Sequence, residues 1–239
     1  MRFRGLAPLI FLAFTMLSCE ESDIRISAEY LDGLKTKQEI TVVFVGDSIT
    51  GGDYSVSGLS LGKRLKPCLA ELLGTRISMI ETGDPLETFD HARRRLDEDV
   101  FYFRPDVVFV MLGMNDFSHP NFDETLFEKI AADFFAAMKK RVFLAVAVTP
   151  AGYRDAFSGK DDFALMQSFN ETLSLQAGLN HFPVIDLAGR MNELHERTPG
   201  LVDSLFADTV HLNDRGQDFA AGFICDSIRS IMAKGGRRR

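Results

Sequence analysis

Residues 42–52 read Val42-Val43-Phe44-Val45-Gly46-Asp47-Ser48-Ile49-Thr50-Gly51-Gly52, or VVFVGDSITGG. A β-branched apolar run that ends in small and polar residues is typical of a buried strand followed by a turn. Asp and Ser are common helix N-caps, so the chain is expected to turn from a strand toward a helix here. A serine at this point either belongs to the turn or acts as a nucleophile, and the rest of the chain has to distinguish the two.

Apolar β-branched runs alternate with longer amphipathic segments along the chain, which is the pattern of βαβ units and a parallel sheet. Strands are predicted at residues 41–45, 76–80, 106–112, 142–148 and 184–187. Helices are predicted at residues 59–73, 91–99, 124–139, 163–177 and 214–232. The expected fold is α/β: a three-layer α/β/α sandwich with a flavodoxin-like five-stranded parallel sheet between two layers of helices.

Composition limits the classes of protein to which this chain can belong. The 239 residues, 46% of them hydrophobic, suffice for one well-filled α/β domain. The formal net charge is -7, and a basic run, Arg237-Arg238-Arg239, stands at the end. Binding to nucleic acid requires a basic surface, so a nucleic-acid partner is excluded.

The first residues have the composition of a signal peptide, with Arg2 and Arg4 before an apolar run at residues 6–17. That run is shorter than the roughly 20 residues that a membrane-spanning helix needs. Met16-Leu17-Ser18-Cys19 resembles a bacterial lipobox, which implies lipidation of Cys19 and possible membrane attachment. The predicted organisation is a signal peptide (1–18), a linker (19–38) and one α/β domain (39–239). The protein is therefore expected in the cell envelope, as a periplasmic or surface lipoprotein, or secreted.

Two cysteines, Cys68 and Cys225, remain in the domain. Both lie in apolar segments predicted to be helical. An exported protein can form disulfides, but two buried thiols explain these positions equally well, and the sequence leaves both open. Two cysteines do not provide the spacing of a metal site, and no metal or other cofactor is expected.

Polar residues gather where the predicted strands end. The first strand leads into Gly46-Asp47-Ser48, the second into Glu81-Thr82-Gly83-Asp84, and the third into Gly113-Met114-Asn115-Asp116. The last strand leads through a long segment to Asp208-Thr209-Val210-His211. Parallel strands bring their carboxyl ends to one edge of the sheet, where ligands bind, so these groups are expected to lie together.

Such a set suits acyl transfer through a serine. A serine hydroxyl needs a base within hydrogen-bond reach, and His211 is the candidate base for Ser48. Asp208, three residues before His211, is the candidate carboxylate that orients it. Candidate donors to the oxyanion are the N–H of Ser48, the N–H of Gly83 and the amide of Asn115. Asp47 is expected to brace the turn and not to act as the triad acid.

The chain resembles the SGNH, or GDSL-type, hydrolase family from about residue 39 to residue 233. The motifs that carry the resemblance, in order, are Gly46-Asp47-Ser48-Ile49, Gly83, Gly113-Met114-Asn115-Asp116 and Asp208-Thr209-Val210-His211. It implies the same roles: Ser48, His211 and Asp208 as nucleophile, base and orienting acid, and Ser48, Gly83 and Asn115 as the oxyanion hole. The second motif departs from the family, which often has Asn where this chain has Glu81 and a second glycine after Gly83.

The resemblance implies a cofactor-free esterase acting on carboxylic esters, with carbohydrate or small acyl esters expected as substrates. The alternatives are an O-acyltransferase with the same triad, a lysophospholipase-like esterase and, from the fold alone, a non-catalytic binding module. Segments after Ser118, after Thr149 and at residues 189–202 are expected to wall the site. They include Phe117, Tyr153 and Phe157, and the sequence leaves open whether these aromatics line a substrate pocket or belong to the core under the loops. The sequence does not predict an oligomeric state.

Overall fold

A computed structural model describes residues 28–119, 121–152, 160–198 and 200–235. Its strands are β1 (Glu39–Val45), β2 (Arg76–Glu81), β3 (Val107–Val110), β4 (Ala145–Val148) and β5 (Val184–Ile185). They form one parallel five-stranded sheet in the order β2-β1-β3-β4-β5. This is the flavodoxin-like order, so the predicted sheet is confirmed. Its switch point, where ligands bind in such folds, lies between β1 and β3.

The helices in the described ranges are α1 (Ala28–Lys35), α2 (Ser48–Gly51), α3 (Leu61–Leu73), α4 (Phe89–Arg94), α5 (Leu96–Asp99), α6 (Met114–Phe117), α7 (Glu124–Lys139), α8 (Lys160–Leu179), α9 (Leu187–Arg197) and α10 (Asp214–Gly235). In the same described ranges, 3-10 turns occupy Phe101–Phe103 and Asp203–Leu205. The bounds of α7 are those that the sequence predicts. None of the helices in the described part of the chain has both the length and the apolar character needed to cross a membrane.

Each face of the sheet is covered by its own layer of helices. Successive residues of a strand point to opposite faces, and both faces of β1 are apolar. Val42 and Phe44 pack with α1, α3 and α10, whereas Val43 and Val45 pack with α4, α7 and α8. The predicted three-layer sandwich is therefore confirmed.

The predicted linker at residues 19–38 needs correction where the chain is described. Residues 28–35 form α1, because Leu31 and Leu34 are buried in the core at 5% and 2% exposure. Tyr30 stacks on Phe143 and donates a hydrogen bond to the carbonyl of Asp106. The predicted signal peptide and Cys19 lie outside the described residues.

Several predicted elements differ from the structure in their bounds, and two segments differ in kind. The helix predicted at residues 91–99 is two helices, α4 and α5, separated at Arg95. It begins earlier than predicted because the Thr88 side chain caps the amide of His91. The segment at 189–202 is largely helical: Asp186 accepts from the amide of Gly189 at 2.9 Å, which ends β5 and starts α9.

Cys68 of α3 and Cys225 of α10 are joined by a disulfide bond, with their Cα atoms 6.2 Å apart. The sequence leaves open whether these cysteines form a disulfide bond or remain two thiols, and the structure contains the disulfide bond. The same two helices are also joined by ion pairs from Arg64 of α3 to Asp214 and Asp218 of α10. As a result α10, which begins three residues after His211, is fixed to α3 both by the disulfide bond and by these ion pairs.

Candidate active site

Ser48 is the first residue of α2, directly beyond the carboxyl end of β1. Asp47 caps this short helix, because its Oδ1 accepts from the amide of Ile49 at 2.9 Å and its carbonyl accepts from the Thr50 hydroxyl at 2.8 Å. A side chain at Gly46 would place its Cβ 2.0 Å from Thr50 Oγ1. The turn therefore requires glycine, and Asp47 braces it as predicted.

Burial governs the protonation of Asp47, whose side chain is almost fully enclosed. It raises the pKa of Asp47 to about 6, although the amides of Ile49 and Thr50 and the nearby His211 act to lower that pKa. Asp47 therefore takes up a proton at a higher pH than an ordinary surface aspartate does.

The structure brings Ser48, His211 and Asp208 into one hydrogen-bonded chain. Ser48 Oγ lies 3.0 Å from His211 Nε2, and His211 Nδ1 lies 2.8 Å from Asp208 Oδ2. The His211 side chain is 15% exposed and that of Asp208 is 40% exposed. A hydroxyl on one ring nitrogen and a carboxylate on the other is the geometry that allows a histidine to take the serine proton.

A tight loop holds Asp208 beside His211. Asp208 Oδ1 accepts from the amides of Val210 at 2.9 Å and His211 at 2.7 Å, and the amide of Ala207 donates to the carbonyl of His211 at 2.8 Å. Burial acts to raise the pKa of Asp208. The hydrogen bonds from the backbone and ring of His211 and from the backbone of Val210 outweigh burial and lower that pKa. The carboxylate is therefore held ionised against the ring.

Gly83 lies against the turn that carries Ser48. A Cβ built on Gly83 would be 2.7 Å from the carbonyl carbon and oxygen of Gly46 and 3.0 Å from the amide nitrogen of Asp47. The two backbones are thus closer than any side chain would allow, so a predicted oxyanion donor stands next to the predicted nucleophile. The departure at Glu81 has a structural explanation, because its carboxylate binds the start of α3 through the Ser60 hydroxyl at 2.6 Å and the Gly62 amide at 3.1 Å.

Asn115 lies in α6, just beyond β3, and is fixed from the loop that carries Gly83. Its Nδ2 donates to the carbonyl of Glu87 at 2.9 Å. A side-chain amide has two N–H donors, so one remains for another acceptor. The neighbouring Asp116 accepts from the amide of Phe89 with both oxygens, and burial raises its pKa to about 6.

Sequence reasoning missed Tyr54, whose ring stacks on the His211 imidazole with centroids 3.7 Å apart and an interplanar angle of 18°. It also missed Glu87, the partner of Asn115. A lone tyrosine in a Gly- and Ser-rich loop carries no signal of such a contact. Of the predicted wall residues, Phe117 packs on core aromatics such as Phe169, with ring centroids 6.1 Å apart. Tyr153 and Phe157 lie outside the described residues.

Comparison with known proteins gives a family match. Residues 44–219 match the model of the GDSL-like lipase/acylhydrolase family. The chain belongs to this family. The matched segment includes every predicted site residue, from Ser48 to His211. As a GDSL-like acylhydrolase, the protein is a serine hydrolase acting on ester bonds. A search of curated protein sequences gave no match.

Solved structures share the fold of this GDSL-like acylhydrolase. A lipase/acylhydrolase from Enterococcus faecalis aligns with a TM-score of 0.65 at 23% identity, over 80% of this chain and 96% of that one. An acetylxylan esterase from Geobacillus stearothermophilus aligns with a TM-score of 0.67 at 18% identity, over 83% and 95%. Another acetyl xylan esterase aligns with a TM-score of 0.64 at 24% identity, over 79% and 100%. At these identities the likeness concerns the fold.

Proposed function

We propose that this GDSL-like acylhydrolase is an exported esterase that cleaves carboxylic esters through Ser48, His211 and Asp208. The observation that carries the proposal is the chain of contacts from the Ser48 hydroxyl through the imidazole to the Asp208 carboxylate, at 3.0 Å and 2.8 Å. Each contact is within the reach that proton transfer needs before any substrate is bound.

In the proposed reaction Ser48 Oγ attacks the ester carbonyl carbon while His211 Nε2 takes the hydroxyl proton. The carbonyl electron pair moves to oxygen, and its return breaks the bond to the alcohol, which leaves with the proton from His211. His211 then deprotonates a water molecule that attacks the acyl-enzyme, and the acid is released from Ser48. Asp208 keeps the Nδ1 proton in place and stabilises the imidazolium.

The negative oxygen of each tetrahedral intermediate would be bound by the N–H groups of Ser48 and Gly83 and by the Asn115 amide. Ser48 is the first residue of α2, and amides in the first turn of a helix have no partner within the helix. The loss of one such donor typically costs about 10² to 10³ in kcat. We therefore expect a loss of that size in Asn115→Ala.

Acetyl esters of carbohydrates, or other small acyl esters, are the substrates that we propose. Two structural neighbours that span most of the chain are acetyl xylan esterases. The acceptor in the second half-reaction is proposed to be water. Acetylated sugars should be compared with p-nitrophenyl esters of graded chain length, and mass spectrometry should follow the products with a free sugar present. Faster hydrolysis of long acyl esters would contradict this substrate class, and acyl transfer to the sugar would indicate an O-acyltransferase.

The role of Ser48 can be tested with p-nitrophenyl acetate and a fluorophosphonate probe. Ser48→Ala should abolish nearly all turnover and all covalent labelling, because the attacking oxygen is gone. Ser227→Ala, in the carboxyl-terminal half of α10, is the matched control and should behave as wild type. Undiminished turnover in Ser48→Ala would refute the mechanism.

Export is proposed from the composition of residues 1–18 and lipid attachment from Cys19. Cell fractionation should find the full-length protein outside the cytoplasm, in the membrane fraction. Cys19→Ala should release it from that fraction with its esterase activity intact. A cytoplasmic full-length protein would contradict export, and an unchanged membrane fraction for Cys19→Ala would contradict lipidation.

A further inference from the structure

Tyr54 occupies an unusual position, because half of its surface is exposed and yet its ring covers the candidate base. The side chain is 49% exposed, and the ring stacks on His211 at 3.7 Å between centroids. An exposed tyrosine in a loop ordinarily has many rotamers available, so its presence on one imidazole requires a loop of fixed shape.

The Tyr54 loop, residues 52–60, is fixed by a polar network that ends on α10. The hydroxyls of Ser55 and Ser57 both donate to Asp214, and the Ser57 amide donates to the same carboxylate at 3.2 Å. Arg64, whose side chain is 8% exposed, reaches the same two hydroxyls at 3.0 Å and 2.7 Å and pairs with Asp214. The hydrogen bond from Ser55, followed in size by those from Ser57, lowers the pKa of Asp214. The carboxylate that anchors the loop therefore stays charged.

The backbone of the loop is equally constrained at its start. Gly52 has a φ of 73°, and a Cβ there would lie 2.7 Å from the carbonyl oxygen of Leu59 at the far end of the loop. Asp214, the anchor, begins α10 only three residues after His211. Tyr54 and the imidazole are therefore held by the same helix terminus, and their stacking is built into the fold.

We propose that Tyr54 is a positioning residue for His211 that stabilises the imidazolium formed when the serine proton is transferred. In that step the proton moves from Ser48 Oγ to His211 Nε2 as the bond from Oγ to the ester carbon forms. A cation over an aromatic face is stabilised, and a neutral ring gains less. The contact therefore favours the transition state over the resting state, which raises kcat.

This role rests on the proposed function and makes a distinct prediction. Tyr54→Leu retains a large side chain but removes the aromatic face, and it should lower kcat for p-nitrophenyl acetate by about 2- to 30-fold, the range of cation–π stabilisation. KM should stay within about twofold, because the ring acts on the base and not on the ester. Tyr54→Phe should retain wild-type kcat, since the ring face remains.

The matched control is Tyr102→Leu, which removes a tyrosine that is 77% exposed in the 3-10 turn before β3, at the opposite edge of the sheet. The rate of labelling by a small fluorophosphonate should fall in Tyr54→Leu alone, since the probe tests activation of Ser48 independently of substrate binding. Unchanged kcat in Tyr54→Leu, or a change confined to KM as for a substrate platform, would overturn the inference. Turnover that persists in Ser48→Ala would instead overturn the proposed function.

Discussion

Loss of the bond between Cys68 and Cys225 should remove a large part of the free energy of unfolding. The two residues are 157 positions apart, and closing a loop of that length restricts the unfolded chain by about 5 kcal/mol at 25 °C in the chain-entropy model. A domain is typically stable by only about 5–15 kcal/mol in total. Measured values for removal of a native disulfide are about 2–5 kcal/mol, so we expect a loss in that range.

The assay is urea unfolding followed by far-ultraviolet circular dichroism. A Cys19→Ser background leaves Cys68 and Cys225 as the remaining cysteines of the chain, which has three. The free energy of unfolding should be compared for the oxidised protein, the same protein with reductant, and the Cys68→Ser/Cys225→Ser variant. The last two should agree with each other and lie about 2–5 kcal/mol below the first.

Reductant should have no effect on the double serine variant, which is the internal control. The two sulfurs lie on helices on one side of the sheet and are not among the predicted catalytic groups, so kcat should be retained in each form that is folded at the assay temperature. The reasoning would be refuted if reduced and oxidised proteins differed by less than about 1 kcal/mol while mass spectrometry showed that the bond had been broken.

Three further predictions concern the site and its support. Gly113→Ala should lower the free energy of unfolding by about 2–4 kcal/mol, because Gly113 has a φ of 120° and its Cβ would lie 2.2 Å from Phe169 Cζ. The control is Gly222→Ala, where a Cβ would meet open space and stability should not fall. Equal stability of the two variants in urea would contradict this prediction. Burial raises the pKa of Asp116 to about 6 from 3.8, so this group should make the free energy of unfolding decline by at most about 3 kcal/mol as pH rises from about 4 to about 6, with no further decline above that. Urea unfolding at each pH should show a smaller decline in Asp116→Asn. A decline identical to that of the wild type would contradict this prediction. Asp208→Asn should lower kcat by up to about 10⁴-fold because the amide favours the wrong tautomer of the base, and a loss below tenfold with p-nitrophenyl acetate would argue against this role.

The sheet and the large helices could be predicted from the sequence because their signals are local. β3 and β4 are apolar on both faces, which identifies buried parallel strands without reference to other parts of the chain. α7 begins at a residue capped by Asp123, and its apolar residues recur at helical spacing, so even its bounds could be predicted.

The helices that sequence reasoning missed have weak local signals. α1 is short and contains Gly33, and it buries Leu31 and Leu34. α9 is mostly polar and buries only Leu187, Ala188 and Met191, all within its first half. Tertiary packing stabilises both helices, and periodicity over so few residues cannot reveal it.

The site was predictable to the extent that topology alone determines it. Parallel strands bring the ends of β1, β2 and β3 to one edge, so the proximity of Ser48 and Gly83 follows from the order of the elements. The stacking of Tyr54 and the support of Asn115 by Glu87 depend on the paths of loops. Loop paths are set by contacts between distant residues, such as that of Ser57 with Asp214, which no local pattern encodes.

The separation of Ser48 from His211 by 163 positions also determines when the site can exist during synthesis. A chain made from its amino end completes β1 and the serine early, then all the remaining strands, and only afterwards the residue that activates the serine. A polypeptide stopped between Ser48 and His211 therefore contains a nucleophile without its base. Ester turnover therefore shows that a molecule has been synthesised through residue 211 and has folded so that His211 contacts Ser48.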